Sequence, residues 1–91
     1  MPYKTVFSNR FLTNFKRITR KNSVLKDRVI RKVGDIANTP SIGEFLSADL
    51  AGMKSVHVGD HWVIVFRVDE KEGTVEFLNF DHHDHAYFKP L

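Results

Sequence analysis

The stretch from Lys54 to Phe80 leaves this chain few architectures to fold into. Three runs rich in β-branched and aromatic residues (Lys54 to Val58, His61 to Asp69 and Thr74 to Phe80) are separated by Gly59-Asp60 and by Glu70-Lys71-Glu72-Gly73. A Gly-Asp pair between two such runs is a hairpin signal. In the first run Val56 and Val58 alternate with Ser55 and His57. In the second, Trp62, Ile64, Phe66 and Val68 fall on one face and His61, Val63, Val65 and Arg67 on the other. Strands joined by short turns make an antiparallel meander, and its apolar face has to be covered by something.

The first forty residues supply the cover. Tyr3 to Phe7 reads as a first strand. Ser8 is placed to cap a helix in which Phe11, Leu12, Phe15 and Ile18 recur at helical spacing, with Arg10, Lys16 and Arg17 opposite. Lys21-Asn22 interrupts the pattern and Ser23 can cap a second helix. Its stripe is Leu25, Val29, Val33 and Ile36, widened by Ile30 and Ala37. Gly34 weakens this helix and Asn38-Thr39-Pro40 ends it. Ser41 to Gly52 is a connector, with a turn of helix expected around Glu44-Phe45-Leu46. The predicted order is β-α-α-β-β-β: an α+β domain with an N-terminal helical hairpin packed on a twisted antiparallel sheet. Ninety-one residues make one domain, residues 1–91, with no room for a second core.

Composition narrows the function. An apolar content of 42% with eight phenylalanines is ample for a core. With no cysteine, neither a disulfide nor a thiolate metal site can hold the fold. No apolar run is long enough to cross a membrane, and Met1-Pro2-Tyr3-Lys4 does not open a secretory signal, so a cytoplasmic setting is expected. Charge is divided unevenly. Residues 1–40 carry ten Lys/Arg against two acids, a net +8, and residues 41–91 carry four against nine, a net −5. The basic half suits a phosphate backbone, and Arg28, Arg31 and Lys32 of the second helix are candidate substrate contacts. The plainer account of such a face is a solvated helix surface.

The order of elements and three segments resemble the RelE/ParE toxin superfamily of type II toxin–antitoxin systems. The opening Tyr3-Lys4-Thr5-Val6-Phe7-Ser8, followed by Phe11 and Phe15, is similar to the family's first strand and its turn into a helix. Leu50 to Asp69, with Gly52, the Gly59-Asp60 turn and the ending Phe66-Arg67-Val68-Asp69, resembles its central hairpin. The close, Phe80-Asp81-His82-His83-Asp84-His85-Ala86-Tyr87, resembles its last strand and His-x-x-x-Val/Ala-Tyr ending. The resemblance implies a groove beside the last strands and an antitoxin partner that blocks it. It also implies one of two activities: RelE-type cleavage of mRNA in the ribosomal A site, or ParE-type inhibition of DNA gyrase without cutting. A third reading is a degenerate relative that acts only as a co-repressor, reaching DNA through its antitoxin.

Within the family, the histidine-using YafQ-type enzymes are the nearest pattern. Their His-x-x-x-Asp-Trp is similar to His57, Val58-Gly59-Asp60, His61 and Trp62, with His61 standing in place of the acid. Their catalytic C-terminal histidine falls on His83, or on His82 in the other register. The arginine that many relatives place early in the second hairpin strand is absent, which leaves Arg67 at the strand's end.

These residues suit metal-independent RNA cleavage, in which the 2′-hydroxyl attacks the adjacent phosphate with one group taking its proton and another protonating the leaving oxygen. Imidazole serves both roles because its ordinary pKa, about 6.5, is near working pH. Catalytic candidates are therefore His83, His57, His61 and His82, with Lys54 and Arg67 as phosphate cations. His57 and His61 are expected to face one groove across their tight turn. Tyr87 is placed to stack on a base. Each has a plainer role: His57 as a half-exposed sheet histidine, Trp62 as core, Lys54 as an edge-strand charge, Tyr87 as a tie for the C-terminus. Asp81-His82-His83-Asp84-His85 is also dense in metal ligands, with His83 and His85 on one side if the chain is extended. Structural zinc sites gather ligands from separated elements, so no metal and no cofactor is assigned. mRNA and the ribosome are the expected substrate partners.

Overall fold

The computed structural model describes residues 2–46 and 52–86. Strand β1 (Lys4–Phe7) leads into helices α1 (Asn9–Thr19) and α2 (Ser23–Asn38), followed by strands β2 (Glu44–Phe45), β3 (Met53–Val58), β4 (Trp62–Asp69) and β5 (Thr74–His82). The sheet order is β1-β5-β4-β3-β2. The expected helical hairpin on a meander is present, with two additions. β1 lies parallel to β5, pairing Lys4 with Thr74 through Phe7 with Phe77, so the sheet is mixed rather than wholly antiparallel. Parallel neighbours need a long connection, and the helices, β3 and β4 supply it. Glu44-Phe45 is a short antiparallel edge strand beside β3, not the expected helical turn. At Gly43, φ is +92°, and a Cβ there would lie 2.8 Å from the Ser55 carbonyl oxygen. Only glycine lets the chain run that close to β3, whose open edge then recruits the next two residues.

Local signals at the helix ends act much as expected. Ser8 Oγ accepts from the Phe11 N–H (3.0 Å) and donates to the Leu78 carbonyl (2.7 Å), so the α1 cap also pins β5. The α2 cap is Asn22, whose side chain accepts from the Leu25 N–H at 3.0 Å, and Ser23 is the first helical residue. α2 closes at Asn38, ahead of Pro40. Neither of the two described helices is long and apolar enough to cross a membrane.

The core lies between the helices and one sheet face. Phe11 sits at its centre, with ring centroids 5.4 Å from Phe7, 5.7 Å from Phe77 and 6.3 Å from Phe80. Leu25, Val29 and Ile36 of α2 complete it with Ile64, Phe66 and Val75. Ile30, expected to widen the α2 stripe, is instead 54% exposed. The central run Val63–Phe66 is buried on both sides, as a continuous apolar strand must be. Val63 and Val65 meet Ala86, Leu46, Met53 and Leu78 on the second face.

β5 carries a one-residue bulge. Val65 pairs with Asn79 but Phe66 pairs with Phe77, leaving Leu78 unmatched. The bulge puts Phe77 and Phe80, three residues apart, into the same core. Phe77→Ala removes a fully buried ring stacked 5.1 Å from Phe7. Urea unfolding followed by circular dichroism is expected to show a loss of about 3–5 kcal/mol.

Candidate active site

The site forms where the β3–β4 turn meets the end of β5. β5 runs two residues past the expected Phe80, pairing Asp81 with Val63 and His82 with Trp62. The ladder continues through the His83 N–H, which donates to the His61 carbonyl at 2.8 Å. His61, in the turn, is thereby fixed beside His82 and His83. Ring centroids lie 5.8 Å apart for His61 and His82, 6.3 Å for His61 and His83, and 4.2 Å for His82 and His83. Trp62 stands edge-on to His82 at 5.7 Å and against Phe80 at 5.8 Å, so its plainer role as a core residue is also its role in positioning His82.

Beyond His82 the chain turns rather than extending. The N–H groups of His85 and Ala86 both donate to the His82 carbonyl, at 2.8 and 3.0 Å. His83 and His85 therefore do not share one side of a strand. The turn instead brings Asp84 back on the cluster, with Oδ1 3.1 Å from His83 Nδ1 and Oδ2 3.4 Å from His82 Nδ1. At His83 the carboxylate in reach of an Nδ1–H fixes the ring and presents Nε2 outward, whereas His82 Nδ1 accepts from the Asp84 N–H at 3.2 Å.

His57 does not join this group. The last pair of the β3–β4 hairpin is Val58 with Trp62, which leaves Gly59-Asp60-His61 as the turn and Val63 opposite His57. His57 lines a separate hollow with Arg28, Arg31, Lys32, Asp35, Val58 and Gly59. Arg28, Arg31 and Lys32 of α2 thus come to the same end of the sheet as the histidine cluster. Arg28 leans over the turn itself: a Cβ on Gly59 would lie 3.6 Å from its guanidinium.

The two other expected cations are elsewhere. Arg67 pairs across the sheet with Met53 and Glu76, and its guanidinium is 2.8 Å from the Glu76 carboxylate. Six residues of strand put it roughly 20 Å from His61. Lys54 is buried, donating from Nζ to the Pro40 carbonyl at 2.9 Å beneath the Phe45 ring at 5.1 Å. It is therefore not the exposed edge-strand charge of the plainer reading, because β2 and the segment 40–43 lie over it. Tyr87 lies outside the described residues. Two further residues touch the site without a signal in the sequence. Asn14 donates to the Asp81 side chain, at 3.4 Å, and Arg17 stands 4.0 Å from the same carboxylate, one residue before His82. Only the crossing of α1 over the end of β5 brings them there.

A family model for the ParE toxin of the type II toxin–antitoxin system parDE matches residues 5–87 of the chain. A putative toxin RelE4 of Methanocaldococcus jannaschii is 32% identical over 74 residues, covering 81% of this chain and 79% of that protein. Among solved structures, the toxin–antitoxin complex RelBE2 of Mycobacterium tuberculosis contains a chain with TM-score 0.77 and 25% identity, covering 91% of this chain and 93% of that one. A histidine-to-glutamine variant of YafQ from E. coli is similar in fold alone, at TM-score 0.78 and 10% identity, covering 94% and 99%.

The burial of Lys54 separates two roles for it. Lys54→Ala is expected to lower unfolding stability by about 2 kcal/mol, because the Pro40 carbonyl loses a charged donor and the stem its packing. The urea midpoint measures this; an unchanged midpoint with lost RNA affinity would return the lysine to the site.

Proposed function

The chain belongs to the ParE toxin family of type II toxin–antitoxin systems, and from that premise we propose that it is a metal-independent endoribonuclease cleaving mRNA in the ribosomal A site. The observation that carries this reading is the convergence of His61, His82 and His83 from two elements, with Asp84 against His83. Inhibition of gyrase by binding has no use for paired proton carriers, whereas 2′-hydroxyl attack needs two.

The chemistry assigns a role to each group. His83, oriented by Asp84, takes the proton from the 2′-hydroxyl as that oxygen attacks the adjacent phosphorus. His61, across the cluster, protonates the departing 5′-oxygen, and His82 holds the two apart. The products are a 2′,3′-cyclic phosphate and a 5′-hydroxyl end. Charge on the pentacoordinate phosphate falls to Arg17, which stands near Asp81, and Arg28, which stands near Gly59, rather than to Arg67 or Lys54. Arg28, Arg31 and Lys32 follow the RNA backbone, His57 among them as a binding residue, and Tyr87 stacks on a base. The toxin–antitoxin complex among the similar structures supports a cognate antitoxin, and in this reading the antitoxin covers this end of the sheet and links the toxin to DNA.

The match to ParE favours the gyrase-inhibitor reading as the alternative. Induced expression in a host cell, with primer extension on an abundant message, separates the two. The native protein is expected to arrest growth and create new 5′ ends inside translated codons. His83→Ala is expected to lose this cleavage by about 10²–10⁴-fold. Arrest with intact message in both proteins would contradict the ribonuclease and point to gyrase; no arrest in either would point to a degenerate co-repressor.

A further inference from the structure

His61, His82 and His83 each offer a ring nitrogen, and these three atoms lie within 4.8 Å of one another. Read as a sequence, the ligand-dense run was confined to residues 81–85. The fold adds a ligand from the β3–β4 turn and ties it to the other two through the hydrogen bond from His83 N–H to the His61 carbonyl. A site drawn from separated elements is what a preformed metal centre requires.

The donor set selects the ion. Three imidazoles with no carboxylate among them suit zinc, cobalt, nickel or copper, and suit magnesium or calcium poorly. Around a tetrahedral ion with bonds of about 2.0–2.1 Å, the nitrogens stand roughly 3.4 Å apart. Rotations moving each ring inward by about an ångström close that gap, and the exposed His61 and His83 have room for them. Asp84 adds the outer support: its carboxylate lies near Nδ1 of His83, which leaves that ring's Nε2 for the ion, and its N–H donates to His82 Nδ1 at 3.2 Å.

We infer that His61, His82 and His83 bind one divalent ion of the zinc class, oriented by Asp84 and leaving a fourth position to water. Resting on the ribonuclease reading, this site is also an off switch. The ion occupies the lone pairs that proton transfer uses, so the loaded chain does not cleave RNA and the chelated chain does.

The test is titration of the purified full chain, stripped with EDTA and dialysed, with Co²⁺ followed by visible absorption. The expected result is a four-coordinate band saturating at one ion per chain and displaced by Zn²⁺. His61→Ala and His83→Ala should lose the band while keeping native circular dichroism, since both side chains are exposed. Asp84→Asn should weaken binding about tenfold, and His57→Ala should bind as the native chain does. Binding as tight in His61→Ala as in the native chain, or weakened equally in His57→Ala, would overturn the site. Zinc saturation should abolish RNA cleavage and EDTA restore it; undiminished or increased cleavage in zinc would overturn the switch. A chain that cleaves nothing with or without metal would overturn the ribonuclease reading and the switch that rests on it but not the ion site, because the cobalt titration reads the site independently.

Discussion

The bulge at Leu78 is the constraint on which the rest of the structure turns. Strict alternation from Phe77 would carry Asn79, Asp81 and His83 to the helix-facing side and push Phe80 out of the core. The extra residue reverses the parity, so Phe80 returns to the core opposite Ile64 and His82 follows it opposite Trp62. Burying a phenylalanine is worth about 1.5–3 kcal/mol, so the hydrophobic gain at Phe80 fixes the register of the residues beyond it. The position of the histidines is thus set by core packing. Ser8 reinforces the arrangement, since its hydroxyl caps α1 and binds the carbonyl of Leu78 at once.

Much of the fold was legible because its signals are local. Alternation with turn residues located three strands, apolar periodicity located two helices, and Ser8 and Pro40 marked helix limits. The features that were not legible depend on tertiary neighbours. β2 exists because Gly43 lets the chain lie against β3, and a Gly-Glu-Phe triplet carries no mark of that. The parallel pairing of β1 is a choice between two edges, and the bulge is a contest between strand register and burial of Phe77 and Phe80. Ile30 is apolar and helical, yet it lies outside because α2 meets the sheet along a narrower stripe than its sequence offers.

For the candidate site, the residue types were readable but their grouping was not. His82 and His83 stood out by density, whereas His57 and His61 looked like partners across a tight turn. Three turn residues instead of two place Val63, not Trp62, opposite His57 and leave His61 in the turn, where the His83 N–H holds it beside the end of β5. Lys54 and Arg67 lie toward the far end of the β3–β4 hairpin from the histidines. Arg17 and Asn14 reach the site only because α1 crosses β5, a contact far apart in sequence. One end of the sheet therefore brings Arg28, Arg31 and Lys32 near three imidazoles whose nitrogens lie within 4.8 Å of one another.

The central claim is that this end of the sheet cuts RNA through its own 2′-hydroxyl. The most direct test supplies programmed ribosomes with a message, in EDTA-treated buffer, and analyses the ends produced by the purified chain. Cleavage yielding a 2′,3′-cyclic phosphate, and blocked by one 2′-deoxynucleotide at the scissile position, is the predicted result. Cleavage that persists at the 2′-deoxy position, or that leaves a 5′-phosphate, would contradict the account.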